Sequence, residues 1–217
     1  MSASFGTREL LAAYQRGVFP MAESRDDPDL FLIDPDERGV IPLKNFHIPK
    51  RLKRTVRQDI YTVTVDKAFT RVITKCAEAA PNRETTWINP SIVNLYAKLH
   101  KEGHAHSVEC WKGEELVGGL YGVSLQAAFF GESMFSTATD ASKVALVHLV
   151  ARLIAGKYRL LDAQFHNPHL TQFGLETILR AEFQIRLKTA LETRGDFTPL
   201  NAPRTGYEAL QLMTHTS

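Results

Sequence analysis

The sequence contains little cysteine and no long apolar run. Its 217 residues include two cysteines, Cys76 and Cys110, which are too few for a disulfide framework, so we expect a reducing compartment. No apolar segment approaches the ~20 residues of a membrane-spanning helix. Residues 1–21 lack the continuous apolar stretch of a secretory signal peptide. We therefore expect a cytoplasmic protein with no membrane partner.

Several motifs with a known chemistry are also absent. Neither G-x-x-x-x-G-K-[ST] nor G-x-G-x-x-G occurs, so phosphate loops of those kinds are unsupported. Residues 131–135 begin like the turn that carries a nucleophilic serine, but Phe135 replaces its closing glycine, and we interpret Ser133 as a structural hydroxyl. Two close histidine pairs lack the partners of a metal site, so we expect no metal. These pairs are His104 with His106, and His166 with His169.

Length and composition allow one large domain or two small ones, because 44% of the residues are hydrophobic and 23% are charged, as in globular proteins. Apolar periodicity and turn residues predict the secondary structure of the first half. The predicted elements are a helix at 7–16 capped by Thr7, a short strand at 30–33 within a loop at 21–45, a strand at 61–65, a helix capped by Asp66, a loop at 81–86 and a helix from Pro90.

The second half changes to a strand-rich pattern before returning to helix. The predicted elements are strands at 107–111, 116–123 and 127–133, a helix that Asp140 caps and Gly156 ends, a strand at 160–165, a mostly helical segment at 170–190 and an irregular tail at 196–217. This order predicts an α/β (α+β) fold, in which a mixed sheet is flanked by helices and the last strand follows a helical crossover. A smaller N-terminal unit is expected at about 1–60.

Charge is distributed unevenly near the N-terminus. Residues 44–57 contain six basic residues and no acid, whereas residues 23–37 contain seven acids and one arginine. The basic segment fits either a short stretch of phosphate backbone or an ordinary solvated helix face. Its basic residues are Lys44, Lys50, Arg51, Lys53, Arg54 and Arg57.

Three polar residues occur in otherwise apolar segments. Asp162 and Gln164 lie two apart on a predicted strand, so both side chains project from the same face. Such a pair can accept a proton or hold an amine, and it can equally be a buried pair satisfied by the backbone. Glu132 lies in the aromatic segment 129–135, where the aromatic residues fit a core, but an acid needs a partner if it is buried.

Motifs along most of the chain resemble those of the leucyl/phenylalanyl-tRNA–protein transferase family. The matching strings are LAAYQRGVFP at 11–20, TWI at 86–88, GHAHSVE at 103–109, LVGGLYGV at 116–123, FFGESMFS at 129–136, ASK at 141–143 and LDAQ at 161–164. The resemblance runs in order from about residue 8 to residue 190. Two of the strings, GHAHSVE and GESMFS, are long and specific.

The resemblance implies an aminoacyltransferase that moves leucine or phenylalanine from aminoacyl-tRNA to proteins with N-terminal Arg or Lys. Methionine is a further candidate donor, and the product is an N-degron for proteolysis. The resemblance also implies an acetyltransferase-like catalytic domain at 61–195 and a small N-terminal domain at 1–60 with a tRNA-contacting segment. The proline and glycine residues beyond it predict an irregular tail at 196–217. We expect a monomer that needs no cofactor.

The same resemblance assigns roles to individual residues. Asp162 and Gln164 would orient and activate the acceptor amine, with Asp162 polarising Gln164, and a water held by Asp162 is the alternative base. Glu132 would hold the aminoacyl α-ammonium or the ribose, while Trp87 and Tyr96 would stack on the terminal adenosine or the aminoacyl group. The positions of the aminoacyl pocket are Leu120, Phe129, Met134 and Leu149. The tRNA-binding positions are Lys50, Lys53, Arg54 and Arg57.

Some residues depart from the family pattern. Leu32 and Ile33 stand where the family has paired tryptophans, and a lost aromatic stack on a base is worth ~1–3 kcal/mol, so donor and acceptor preference stays open. Gln126 replaces a glycine in a strand turn. His166 and Asn167 replace the more usual residues before His169.

The sequence also raises two other functions and one accessory role. An acyl-CoA-dependent acetyltransferase is disfavoured because residues 136–143 contain no glycine for a pyrophosphate loop. A tRNA-binding protein that has lost catalysis would bind charged tRNA without turnover. Independently of the family pattern, the acidic residues at 23–37 could attract the basic N-terminus of an acceptor, in which case reversing Asp34 and Asp36 to Lys would raise the acceptor's KM.

Overall fold

The structure, a computed structural model, describes residues 5–27, 29–78 and 86–214. Its helices are α1 (Thr7–Gln15), α2 (Lys50–Arg57), α3 (Phe69–Cys76), α4 (Pro90–Lys101), α5 (Ala141–Ala155), α6 (Pro168–Thr171), α7 (Arg180–Leu191) and α8 (Gly206–Thr214). Its strands are β1 (Phe19–Met21), β2 (Phe31–Ile33), β3 (Glu37–Val40), β4 (Thr62–Val65), β5 (Ala105–Lys112), β6 (Glu115–Leu125), β7 (Ala128–Ser136), β8 (Leu160–Gln164) and β9 (Glu176–Leu179).

A seven-stranded mixed sheet with the order β4-β5-β6-β7-β8-β3-β9 organises these elements. Strands β4 to β7 form an antiparallel meander, and α5 then crosses over to β8, which pairs in parallel with β7. Strand β3 pairs antiparallel with both β8 and β9, while β1 and β2 form a separate two-stranded sheet. The predicted mixed sheet with flanking helices is confirmed, and the N-terminal segment adds a small two-stranded sheet to it.

Helices cover both faces of the large sheet. Buried apolar side chains of α1, α3, α4 and α7 form one core, and those of α2, α5 and α8 form the other. Alternating residues of one strand therefore enter different cores: Phe130 contributes to the first and Phe129 to the second. In the described part of the chain, no helix is both long and apolar enough to cross a membrane.

The prediction of an irregular tail at 196–217 is wrong for Gly206–Thr214. Helix α8 forms there and contacts α2 and α5, with Ala209 and Leu210 buried. A Cβ at Gly206, the first residue of α8, would lie 1.9 Å from the carbonyl oxygen of Val56, so only glycine allows this close approach to α2. Pro199 and Pro203 before this helix, and Gly206 as its first residue, conceal it in the sequence pattern.

Three short strands and three caps also differ from the sequence interpretation. Strands β1, β3 and β9 were not predicted: β1 directly follows the end of the first predicted helix, β3 lies in the segment interpreted as a loop, and β9 lies in the segment interpreted as mostly helical. Gly6, not Thr7, occupies the N-cap of α1. Asp66 does not cap α3, since its carboxylate accepts hydrogen bonds from His106 and the Ser107 backbone N–H. Asp140 precedes α5, but its side chain makes no capping bond. The predicted loop at 81–86 falls almost entirely outside the described residues.

Candidate active site

A cavity opens where two parallel strands of the sheet separate. The pairing of β7 with β8 ends at Phe130 and Asp162, while β7 continues along β6 as far as Ser136. The register between β6 and β7 shifts at this point, because Gly122 pairs with Gly131 and Tyr121 pairs with Ser133. Glu132 is the extra residue of this bulge, and such bulges redirect side chains beside functional sites.

The cavity has a volume of about 490 Å³ and mainly apolar walls. Its apolar lining residues are Ile41, Leu120, Met134, Leu146, Leu149, Leu161, Leu170 and Phe173, and the polar or aromatic ones include Trp87, Glu132, Ser142, Lys143, Asp162, Asn167 and His169. Asp162 is fully buried, whereas Asn167 and His169 are exposed. An apolar pocket with a few convergent polar groups is the usual form of a small-ligand site.

Asp162 at the buried end of the cavity is held by Arg38 of β3. The Arg38 Nε and Nη2 donate to Oδ1 and Oδ2 of Asp162 at 2.9 and 2.6 Å, and Arg38 Nη1 donates to the Gly17 carbonyl at 2.7 Å. The guanidinium also lies between the rings of Phe19 and Phe183, 4.7 and 4.3 Å from their centroids. This buried charge pair is thus bidentate and almost fully satisfied.

Glu132 is the centre of a second polar cluster. Its Oε1 accepts hydrogen bonds from the Tyr14 hydroxyl at 2.6 Å and from Gln164 Nε2 at 2.9 Å, and its Oε2 accepts one from the Tyr96 hydroxyl at 3.2 Å. Burial raises the pKa of Glu132 to about 7, although the hydrogen bonds from Tyr14 and Gln164 oppose this rise. Burial and the Glu132 charge raise the pKa of both tyrosines, which therefore remain donors.

The contact between Asp162 and Gln164 differs from the predicted one. Asp162 Oδ1 accepts the backbone N–H of Gln164 at 2.8 Å, whereas the Gln164 side chain binds Glu132. Direct polarisation of the Gln164 amide by Asp162 is therefore wrong. Gln164 also has a φ of 65°, which places this residue in the left-handed region at the end of β8.

Two predicted binding residues do not reach the cavity. Tyr96 is fully buried, with its hydroxyl on Glu132 and its ring against Tyr121, so stacking of its ring on a nucleotide is wrong for this structure. Phe129 is also fully buried and stacks on Phe197 in the core behind the cavity wall. The predicted residues that do line the cavity are Trp87, Leu120, Glu132, Met134, Leu149 and Asp162.

The basic residues of the segment from Lys50 onward form the exposed face of α2. Leu52 and Val56 of this helix are buried, and the predicted tRNA-binding residues are exposed on the other side. Arg51 of the same helix is joined to Asp140, whose second oxygen binds Lys143 at the cavity. Burial would raise the pKa of Asp140, but hydrogen bonds from Lys143 and Arg51 lower it below its usual value. The exposed tRNA-binding candidates are Lys50, Lys53, Arg54 and Arg57.

The residues that depart from the family pattern have clear positions. Leu32 is 43% exposed on β2, and Gln126 adopts a φ of 53° in the turn between β6 and β7.

Arg180 of α7 contacts the carboxylates of both Asp34 and Asp36, at 3.3 and 2.5 Å. Reversing these two charges would therefore disrupt an ion-pair cluster as well as change the acidic surface.

Sequence reasoning missed three residues of the site: Arg38, Tyr14 and Lys143. Arg38 directly follows the acidic segment 23–37, and this pattern does not identify it as the partner of Asp162. Tyr14 lies in the family-like string LAAYQRGVFP, but its long-range partner Glu132 is visible only in the fold. Lys143 lies in the string ASK, and its local partner Asp140 precedes it by three residues.

Comparison with known proteins agrees with the resemblance seen in the sequence. The family model of the leucyl/phenylalanyl-tRNA protein transferase matches residues 40–188, and that of the N-terminal domain of the same transferase matches residues 5–36.

Curated relatives match over most of the chain. A leucyl/phenylalanyl-tRNA–protein transferase of Hyphomonas neptunium is 69% identical over 91% of this chain and 76% of the relative. Those of Maricaulis maris and Caulobacter vibrioides are each 61% identical, the first over 98% of this chain and 99% of the relative, the second over the full length of both. The chain therefore belongs to the leucyl/phenylalanyl-tRNA–protein transferase family.

Proposed function

We propose that this protein transfers leucine or phenylalanine from aminoacyl-tRNA to the α-amine of cytoplasmic proteins that begin with Arg or Lys. The transfer would create an N-degron and so direct the acceptor to proteolysis, with methionine as a further donor. Membership of the family supports the activity. The observation that carries the proposal is the apolar cavity that ends at Glu132 and Asp162. Its apolar walls suit an aminoacyl side chain, and its two carboxylates suit the reacting amine.

The reaction requires proton transfer but no covalent intermediate with the enzyme. An aminoacyl ester is already activated, so the acceptor nitrogen attacks its carbonyl carbon, a C–N bond forms and the C–O bond to the ribose breaks. The amine loses a proton, and the ribose hydroxyl gains one. Holding the amine and the ester together supplies a large part of the rate.

Glu132 is the proposed proton acceptor for the amine. Its pKa of about 7 is close to the ~7.7–8.0 of an α-amine, so transfer between the two groups is nearly balanced. After the ester bond breaks, the protonated Glu132 can return the proton to the ribose oxygen. Tyr14 and Tyr96 fix the carboxyl in place as this happens.

Asp162 and Gln164 are proposed to position the amine. The hydrogen bonds from Arg38 and the Gln164 backbone use both Asp162 oxygens, which argues against direct proton abstraction by Asp162. The Gln164 Nε2 donates to Glu132, so its carbonyl oxygen remains to accept a hydrogen bond from the attacking amine. The predicted alternative, a water held by Asp162, would have to share these occupied oxygens.

The walls of the cavity suit more than one aminoacyl side chain. Leu120, Leu149 and Met134 provide an apolar surface, and the flexible thioether of Met134 adapts to both a branched and an aromatic shape. Trp87 borders the same cavity and is the remaining candidate for stacking on the terminal adenosine. The exposed cations of α2 are proposed to contact the phosphates of the tRNA in a sequence-independent way.

The proposal is tested by transfer of radiolabelled leucine and phenylalanine from charged tRNA to a peptide that begins with Arg. A peptide that begins with Ser is the acceptor control, and Glu132→Gln keeps the size of the side chain while removing its charge. Transfer to the Arg peptide alone, reduced at least about 100-fold in the variant, is expected. Binding of charged tRNA without transfer would instead indicate a binding protein that has lost catalysis.

A further inference from the structure

Asp140 connects the basic face of α2 to the cavity. Its Oδ2 accepts a hydrogen bond from Arg51 Nη2 of α2 at 3.0 Å, and its Oδ1 accepts one from Lys143 Nζ in the first turn of α5 at 3.0 Å. The Asp140 side chain is only 7% exposed and its φ is 62°, so its position is fixed by the turn before α5. One buried carboxylate thus orients two cations from different elements.

Lys143 supplies the strong positive charge at the cavity. Among the described residues that line the cavity, it is the single Lys or Arg. The three charged groups Arg51, Asp140 and Lys143 together carry a net charge of one positive unit, so the group still attracts an anion. The Lys143 side chain is 37% exposed and can contact a ligand that enters the cavity from the α2 side.

We propose that Lys143 binds a phosphate of the 3′-terminal nucleotides of the donor and that Asp140 is the positioning residue for this contact. The proposal rests on the proposed aminoacyl-tRNA donor. An RNA strand that runs from α2 into the cavity passes the hydrogen-bonded groups of Arg51, Asp140 and Lys143. The compact ammonium group of Lys143 can make a point contact with a phosphate. Because Asp140 restrains Lys143, less side-chain entropy is lost when the phosphate binds.

Two other roles for Lys143 make different predictions. If the pair with Asp140 only stabilises the start of α5, removal of the ammonium changes stability and leaves transfer intact. If Lys143 stabilises the negative charge that develops on the ester carbonyl, its removal slows the reaction of every donor, including one without phosphate.

The experiment uses three donors that differ in their phosphates. They are the phenylalanyl ester of adenosine, which has no phosphate, the same ester of cytidylyl-adenosine, which has one, and phenylalanyl-tRNA. We expect Lys143→Ala to lower kcat/KM about tenfold with the second and third donors and less than about twofold with the first. Lys188→Ala, which removes an exposed charge from α7, is the matched control and should leave all three unchanged.

The loss of kcat/KM in Lys143→Ala, compared across the three donors, distinguishes the three roles of Lys143. An equal loss with all three donors would overturn the phosphate contact in favour of a role at the ester, and no loss with any donor would overturn it in favour of a structural role. Thermal unfolding of each variant separates a folding defect from a binding defect. Lys143→Arg, which retains the charge, is expected to recover part of the lost activity with the phosphate-containing donors.

A second variant tests the positioning role of Asp140. Asp140→Asn increases the net positive charge, so charge attraction alone predicts tighter binding of tRNA. Positioning predicts a fall of kcat/KM for the cytidylyl-adenosine ester even though the affinity for tRNA is retained or increased. Unchanged kcat/KM for this donor would exclude the positioning role.

Binding measurements separate this inference from the proposed function. Non-hydrolysable amide analogues of the two short donors are titrated into the wild type and into Lys143→Ala. If the wild type transfers nothing from any donor, the proposed function fails. A selective loss of affinity for the phosphate-containing analogue in Lys143→Ala would still support the phosphate contact, and equal affinity in both proteins would overturn it.

Discussion

Arg38 and Asp162 form a bidentate ion pair in which neither side chain is more than 1% exposed. Arg38 lies on β3, near the N-terminal end of the chain, and Asp162 lies on β8, where the sheet opens into the cavity. The pair therefore ties the N-terminal segment to the site. Phe19 and Phe183 cover the two faces of the guanidinium and exclude water from it.

Removal of Arg38 is expected to destabilise the protein strongly. Arg38→Ala would leave the Asp162 carboxylate buried without its partner, which costs ~3–5 kcal/mol of unfolding free energy. Arg38→Lys would also be costly, because an ammonium cannot make the bidentate contact or stack between two rings. Urea unfolding measures the effect, with Arg8→Ala as the control, because the Arg8 side chain is 94% exposed in a surface pair with Glu9 and its loss should cost ~0–1 kcal/mol. Equal losses in both variants would show that the buried pair contributes no more than a surface pair.

The sequence predicted the meander and the parallel crossover because strands β5 to β7 and helix α5 are long and have clear periodicity. It did not predict β3, since the Asp and Pro residues directly before this strand indicate a loop, and with β3 it missed Arg38 as the partner of Asp162. Likewise, the sequence could not show that Tyr96 lies beneath Glu132, because this contact depends on how α4 packs on the sheet. The residue types of the site could be predicted from the sequence, but their hydrogen-bond and ion-pair partners depend on tertiary packing.

The pH dependence of transfer tests Glu132 as the proton acceptor. The pKa of Glu132 is raised to about 7 by burial, so kcat/KM of the wild type should rise as pH increases through about 7 and then through the ~7.7–8.0 of the acceptor amine. Glu132→Gln should lose the first rise and retain the second, at a rate lower by ~10²–10⁴-fold. Steady-state kinetics between pH 5.5 and about 9 measure both. A variant with the wild-type profile would exclude this role.

Titration of Glu132 also changes the free energy of unfolding, with a pH dependence opposite to that of an ordinary ion-paired carboxylate. Between the usual pKa of 4.5 and the native value of about 7, the native state retains a proton that the unfolded state has lost. The free energy of unfolding contributed by this group therefore falls as pH rises through that window and is constant above it. Glu132→Gln should lack this fall, and thermal unfolding at several pH values compares the two proteins. A wild type that gains stability relative to the variant across this window would contradict the raised pKa.

The cations of α2 should govern the salt dependence of tRNA binding. Loss of one phosphate contact makes the slope of log K against log salt less steep by ~0.9 on a duplex, so Arg54→Ala should weaken affinity and reduce the slope together. Filter binding at several salt concentrations measures both quantities. Lys98→Ala removes an exposed charge from α4 and should change neither. Transfer from the adenosine ester should be unaffected by Arg54→Ala, and a loss there would place the residue at the cavity instead.

Gln126 has a backbone conformation that favours glycine. Its φ of 53° lies in the left-handed region, in the two-residue turn between Leu125 and Ala128, where a side chain adds a steric cost. Gln126→Gly should therefore increase the free energy of unfolding by up to ~1 kcal/mol. The greater conformational entropy of glycine in the unfolded chain reduces this gain. Urea unfolding tests this, and Gln126→Ala, which relieves no strain, should not stabilise the protein.

The size of the cavity should determine the preference between the two donors. Leu149→Phe would fill part of the apolar space, and the larger phenylalanyl group would lose more room than the leucyl group. A misfit of about one methylene group changes selectivity by ~10–200-fold, so the ratio of kcat/KM for phenylalanyl-tRNA to that for leucyl-tRNA should fall at least tenfold. Phe129→Leu is the matched core control, because Phe129 is fully buried behind the cavity wall. It should lower stability by ~1–3 kcal/mol and leave the ratio unchanged. If Phe129→Leu shifted the ratio as much as Leu149→Phe, the aminoacyl side chain would have to bind deeper than the cavity described here, in the core against Phe197.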